Sequence, residues 1–261
     1  MGARKRRIIV VGAGSGIGAA VATHFHDGGD HVLAVDLRPN DTPAAEHALC
    51  DLRDPQSITE LVGRLGTGWD MLAHVAGVPG TAPVNDVLTV NYLGMRLMVG
   101  GMLPRIRRGG SVVAVASTAG IGWEQRLETL SELLEATDIE SVAHWQARQD
   151  PHYPVYSSSK QAVILYAKRI AGSALAKYGV RVNTVSPGPV ETPILVDFEK
   201  TMGKEILDVL KSTYGRHGTV DDIVPVIAFL GSDAAQWING QDVHVDSGFV
   251  TSMTAGVPIT L

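Results

Sequence analysis

The sequence is short of cysteine, of charge and of unbroken apolar stretches, and each shortage removes a class of protein. One cysteine, Cys50, among 261 residues cannot close an intramolecular disulfide. Nothing therefore asks for an oxidising compartment, and a cytoplasmic location is expected. The longest apolar stretch, Ile8 to Ala22, is broken by Gly12, Gly14, Gly16 and Gly18 and falls short of the roughly 18 residues of a membrane span. Arg4-Lys5-Arg6-Arg7 precedes it in the manner of a signal peptide, but no small-residue cleavage site leads into a polar start. That reading is rejected, and the basic run is expected to be the solvated lead-in to a strand. No membrane association is expected. Charged residues make up 19%, with 22 basic against 27 acidic, which excludes a disordered chain and a nucleic-acid scaffold. Among nine histidines only His24 and His26 stand close, and two positions apart on a helix they diverge, so no metal site is expected.

Glycine is what the chain has in excess, 29 of 261 residues against a background of roughly 7%. Seven short β-branched runs alternate with longer stretches carrying apolar residues at i, i+3, i+4 and i+7. The runs are Arg7 to Val11, His31 to Val35, His47 to Cys50, Asp70 to Val75, Ser111 to Ala116, Val180 to Val185 and Asp242 to Val245. This rhythm predicts an α/β protein, a Rossmann-type doubly wound parallel sheet of about seven strands with helices on both faces. No repeat, linker or composition break divides it, so residues 1–261 read as a single domain.

Two connections break the rhythm. Between Asp36 and Asp51 stand Pro39, Asn40, Asp41 and Pro43, which leave no room for a crossover helix and predict a loop. After Ser117, by contrast, about 35 residues precede the next long helix near Val155. Trp123, Leu127, Leu130 and Leu134 follow helical spacing, and Thr137 with Glu140 has the form of a capping box for a second helix carrying Ile139, Val142 and Ala143. An inserted helical pair over about 121–152 is expected. Its seven acidic and two basic residues read as a solvated face.

Gly12-Ala13-Gly14-Ser15-Gly16-Ile17-Gly18 follows the first strand and opens a helix pattern. Glycines there allow a tight turn and close approach to a pyrophosphate, whose charge the helix N-terminus stabilises. Asp36 ends the second strand 18 residues past Gly18, near the roughly 20-residue spacing of the acid that hydrogen-bonds a ribose 2′-hydroxyl. A carboxylate there repels a 2′-phosphate, and Ser15 is not basic, although Arg38 could partly offset Asp36. NAD is expected over NADP. Further along, Tyr156-Ser157-Ser158-Ser159-Lys160 places a phenol and an ammonium at i and i+4 on one helix face. A nearby cation favours the phenolate of a residue that otherwise titrates near 10. Tyr153 has Ser157 four residues on and no lysine.

The glycine spacing resembles that of the short-chain dehydrogenase/reductase family, and the resemblance runs nearly the full length. His74-Val75-Ala76-Gly77 stands where that family has Asn-Asn-Ala-Gly, keeping the last two residues. Asp51-Leu52 matches an adenine-contacting position, and Leu37 follows the acid of strand two. Pro187-Gly188-Pro189-Val190-Glu191-Thr192 matches the Pro-Gly segment, where the threonine is expected at the nicotinamide carboxamide or the phosphates, and Gly240-Gln241 through Asp246-Ser247-Gly248 matches the last strand. Val11 departs from the family's threonine and implies a less constrained turn. The resemblance implies that Ser117 holds the substrate oxygen, with Thr118 as runner-up and a strand-end hydroxyl serving the backbone as the plainer alternative. It also implies that Asn91 continues a proton relay through water to Lys160. The implied reaction is reversible hydride transfer between an alcohol carbon and nicotinamide, with Tyr156 as the proton carrier. Cofactor contacts are implied for Gly12, Gly14, Ser15, Gly16, Ile17, Gly18, Asp36, Leu37, Asp51, Leu52, Ala76, Gly77, Tyr156, Lys160, Pro187, Gly188, Val190 and Thr192.

Within the family, the short second connection and long insertion are similar to the 3α-hydroxysteroid dehydrogenase/carbonyl reductase branch. That implies a secondary alcohol or ketone on a flat apolar substrate. Residues Pro189 to about Tyr214, with Trp123 and Trp145, are expected to form a lid, the alternative being ordinary core. Rival readings are a 3-oxoacyl-thioester reductase and a nicotinamide-sensing regulator without turnover. A homodimer or homotetramer through the helices flanking strands four and five is implied, which the insertion could block or rebuild.

Overall fold

The β-branched runs form one sheet. In the computed structural model, which describes residues 4–256 except 203, 205, 206, 209, 210, 213 and 214, the strands are β1 (Arg7–Val11), β2 (His31–Asp36), β3 (Glu46–Leu49), β4 (Trp69–His74), β5 (Ile106–Val115), β6 (Arg181–Pro187) and β7 (Asp242–Val245). All pair in parallel in the order 3-2-1-4-5-6-7. The order reverses between β1 and β4, which opens a crevice at their carboxyl ends. Side chains alternate along each strand, so Ile8 and Val10 face one core and Ile9 and Val11 the other.

Helix α1 (Gly16–Asp27) packs on the first face. On the second lie α2 (Pro55–Arg64), α3 (Val84–Leu88), a π-helical turn (Thr89–Gly94), α4 (Met95–Met102), the inserted α5 (Leu127–Glu135) and α6 (Ile139–Ala147), and α7 (Val155–Tyr178). Helix α8 (Leu195–Met202) follows β6, α9 (Val220–Leu230) returns to the first face, and α10 (Phe249–Thr254) ends the described chain. As expected, β2 and β3 are joined without a helix.

Several expectations shift. The basic run is tied down: Arg6 pairs with Asp30 at 2.5 Å, Arg7 lies 4.1 Å over the Trp69 ring, and Arg4 and Arg107 both meet the buried Asp70 carboxylate. Burial leaves that carboxylate few waters, so the guanidiniums take their place. Strand β5 starts at Ile106, ahead of the expected Ser111, because Arg107 to Gly110 loop outward between two paired stretches. The second inserted helix is capped one residue later than read. Asp138 Oδ1 accepts from Ser141 N at 2.8 Å and Ser141 Oγ accepts from Asp138 N at 3.2 Å, while Thr137 lies outside the helix. Asp is the stronger N-cap. Trp123 to Arg126 form a 3₁₀ turn, and Leu127 is 47% exposed while Leu130, Leu133 and Leu134 are buried.

The insertion lies on α7. Arg126 donates to Ser158 Oγ at 2.9 Å and to Gln161 Oε1 at 2.8 Å, and stacks 3.9 Å over Tyr153. Gln161 in turn donates to the Tyr153 hydroxyl at 2.9 Å, so Tyr153 has a structural place. Trp145 is 1% exposed and donates to Thr129 O at 2.9 Å, and Trp123 packs against the same core with Lys168 5.6 Å over its ring. The expectation that these two tryptophans line a lid is therefore corrected: neither lines the cavity, Trp145 is core and Trp123 is half-buried against it.

Candidate active site

The crevice at the switch point holds a cavity of about 500 Å³, lined from β1, β2, β5, α7, the loops after β3 and β4 and the segment after β6. At one end the backbone of Gly12 and Ala13 turns over β2, both N–H groups donating to Val35 O at 2.8 and 3.1 Å. Gly18 crosses directly beneath: a methyl group there would lie 1.9 Å from Gly12 O. Ser15 precedes α1 without capping it through its side chain, so the first N–H groups of that helix face the cavity. Val11 has no hydroxyl to brace this turn, yet the turn is held from the β2–β3 loop, where Thr42 Oγ1 donates to Ala13 O at 2.8 Å.

Ser15, Gly16, Ile17, Gly18, Asp36, Leu37, Asp51, Leu52, Ala76, Gly77, Pro187, Gly188, Val190 and Thr192 all line the cavity, as do Gly12, Ser117, Tyr156 and Lys160. Two expected residues do not. Gly14 is not on the wall, and its N–H donates to Asp36 Oδ2 at 2.8 Å. Asn91 is buried behind the wall in the π-helical turn. Its Oδ1 accepts from Val78 N at 2.7 Å, and its Nδ2 donates to Val78 O at 3.0 Å and to Ser159 Oγ at 3.1 Å. A wide π turn leaves backbone groups out of register and fits a side chain that must reach sideways.

Asp51 is engaged by Arg53, with Nη2 to Oδ2 at 2.7 Å, which holds its carboxyl below the usual range. Arg53 and Asp86 both line this end and were not singled out from the sequence. The two-residue spacing of Asp51 and Arg53 is the signal that could have found Arg53. At the other end Val78, Pro79, Pro193, Ile194, Asp197 and Phe198 form the wall. Phe198 meets Tyr156 edge to face, ring centres 5.3 Å apart, and its spacing of four from Ile194 was the available hint. Thr81 Oγ1 donates to Asp197 Oδ1 at 2.9 Å, joining the loop after β4 to α8. Of the expected lid segment, Pro193, Ile194, Asp197 and Phe198 line the cavity. Tyr214, its expected far end, lies outside the described residues.

The chemistry sits between these ends. Ser117 Oγ accepts from Ala119 N at 3.1 Å and lines the cavity beside Tyr156, whose pKa it pulls down, so the hydroxyl serves the backbone and the cavity together. Thr118 is not on the wall. Lys160, 4% exposed, donates to Val115 O at 3.1 Å and stands 5.6 Å from the Tyr156 ring centre. Its ammonium was expected to lower the Tyr156 pKa. Instead burial pushes the phenol up to about 12, opposed by the Ser117 hydrogen bond, and burial brings Lys160 down to about 8. Desolvation of each group outweighs their mutual effect at this separation. Gly77 admits the pair closely, since a methyl group there would be 3.3 Å from Lys160 Nζ and 3.2 Å from Asn91 Oδ1.

Residues 6–127 match the short chain dehydrogenase family, and residues 139–250 match the family described as enoyl-(acyl carrier protein) reductase. The chain is 34% identical to a coniferyl-alcohol dehydrogenase of Pseudomonas sp. strain HR199, covering 95% of this chain and 97% of that one. It is 27% identical to a 3-alpha-hydroxysteroid dehydrogenase/carbonyl reductase of Comamonas testosteroni, over 92% and 95% of the two chains. The crystal structure of the 3-alpha-hydroxysteroid dehydrogenase of Pseudomonas sp. B-0831 with NADH superposes with a TM-score of 0.79 at 28% identity, covering 95% and 98%.

Proposed function

The chain belongs to the short-chain dehydrogenase/reductase family, oxidoreductases acting on alcohols and carbonyls, and we propose that it interconverts an apolar cyclic secondary alcohol, of hydroxysteroid type, and its ketone with NAD. The observation that carries this reading is the meeting of Ser117, Tyr156 and Lys160 beneath a wall of Val78, Pro79, Ile194 and Phe198. The glycine turn fits a dinucleotide, because only a bare backbone passes under Gly12 and leaves the α1 N–H groups open to a pyrophosphate. Asp36 faces the cavity and Arg38 is not part of its wall, which supports NAD over NADP.

When bound, the nicotinamide gives or takes the hydride. Ser117 donates to the substrate oxygen and Tyr156 exchanges the proton at that same oxygen. Because burial holds its phenol near 12, Tyr156 is set to donate in ketone reduction as it stands. Alcohol oxidation requires Lys160 to turn from Val115 O towards the phenol and favour its anion. Asn91 ties the Val78 wall to α7 through Ser159, the residue before Lys160.

A second reading is oxidation of a primary arylallyl alcohol. It is supported by the relative at 34% identity and by the edge-to-face Tyr156–Phe198 pair in the cavity wall, which suits an aromatic ring. A thioester reductase is less well supported, since the guanidinium on the cavity wall, Arg53, lies at the Asp51 end and not beside Tyr156. A sensing role without turnover has no support from the assembled triad. A homo-oligomer fits the family, with part of the α7 surface already covered by the insertion. Following NADH formation across hydroxysteroids, cyclic alcohols, arylallyl alcohols and hydroxyacyl thioesters tests the substrate. Tyr156→Phe is expected to abolish turnover and leave NADH binding within a few fold; turnover retained in that variant refutes the assignment.

A further inference from the structure

We propose that His74 is a positioning residue for Lys160, its Nε2 holding a buried water that also receives a hydrogen bond from the Lys160 ammonium. His74 ends β4, paired with Val11 on one side and Ala114 on the other, and is 2% exposed. By strand alternation its side chain leaves the sheet on the face of Leu72, the face covered by α7. Among the described residues no protein group hydrogen-bonds to Nε2. A folded protein seldom leaves such an atom uncovered.

Lys160 has the complementary need. An ammonium carries three donors, and the protein acceptor it has is Val115 O, one residue along β5 from the strand partner of His74. The two groups feel each other, since the Lys160 charge, after burial, is what keeps the His74 imidazole neutral. The titratable groups around Lys160 are Tyr156 on its own helix and His74 on β4. Ala114 and Val115 of β5 and Ala116 just after it are apolar, and Asn91 from the π turn is polar without titrating. Among the described residues no carboxylate is shown paired with Lys160. A neutral imidazole reached through water fixes the ammonium and leaves its positive charge uncancelled, where a carboxylate would neutralise it. A site with two polar partners, one of them a fully buried ring nitrogen, is where a structural water resides. This residue is one of the two at which the chain departs from the family's Asn-Asn-Ala-Gly turn.

The inference rests on the proposed function only in assigning work to Lys160, and its test separates the two. A crystal structure of the full-length protein that resolves waters is expected to show one water within hydrogen-bonding distance of both His74 Nε2 and Lys160 Nζ. NADH affinity, read by fluorescence across pH, is expected to fall as Lys160 loses its charge above about 8. In His74→Leu the midpoint of that fall moves down by about one pH unit, because the charged form loses an acceptor, and in His74→Asn it returns to within a few tenths. A merely structural histidine changes the melting temperature and leaves the midpoint alone. Identical midpoints, or a map without that water, overturn the proposal. Should no alcohol be oxidised, the proposed function fails while the water and the midpoint still decide this inference. Should His74→Leu not fold, His74→Asn and the map decide it.

Discussion

Replacing Lys160 by methionine is expected to stabilise the cofactor-free protein. Burial brings the ammonium from 10.5 to about 8, so at neutral pH the folded state carries a charge it disfavours by about 3 kcal/mol, at roughly 1.4 kcal/mol per pH unit. Methionine removes that penalty, keeps the volume, and leaves Val115 O without its donor at a cost of about 1 kcal/mol. The net gain is about 2 kcal/mol at pH 7, a rise of about 5 °C in melting temperature for a chain of this size. The pH dependence has a definite sign. Between about 8 and 10.5 the unfolded chain keeps its lysine proton while the folded wild type has released it, so wild-type stability rises relative to the variant. The gap is therefore expected to close to near zero by about pH 10. Tyr156 and the surface groups titrate alike in both proteins and cancel in the difference. Urea unfolding of both proteins at several pH values measures it. A variant less stable at neutral pH, or a gap that does not narrow, refutes the burial reasoning. Turnover is expected to collapse in the same variant, the usual exchange of stability for function.

Two further outcomes follow from the cofactor end. Gly18→Ala puts a methyl group 1.9 Å from Gly12 O, so the turn must open; NADH affinity is expected to drop by about 100-fold or more, with a few kcal/mol lost from stability. Calorimetric titration checks this, and unchanged affinity refutes the close crossing. Asp36→Ala removes the carboxylate that faces the cavity, and the NADP-to-NAD ratio of kcat/KM is expected to rise by about tenfold or more as repulsion of a 2′-phosphate goes. A ratio that stays put shows that cofactor choice lies elsewhere.

The sequence by itself determined the sheet and most of the cavity floor, because both are written locally. Strand periodicity, glycine at fixed offsets, an acid at the end of β2 and a tyrosine four residues before a lysine on a helix are short-range patterns. Each places its residues by geometry that neighbours in the chain dictate. The missing helix between β2 and β3 was legible for the same reason, since prolines forbid it. Tertiary structure alone decided three things. Trp145 entered the core and Trp123 packed against it because α5 lies on α7 and α6 on the π-helical turn, while Phe198 and Asp197 reached the site by the turn after β6. Thr42 took over the bracing of the glycine turn from across a loop. The protonation of Tyr156, Lys160 and His74 followed from burial, which depends on every element that covers them. Spacing in a chain can say that a phenol and an ammonium stand together, but only the surrounding fold removes the water that sets what each will do with a proton.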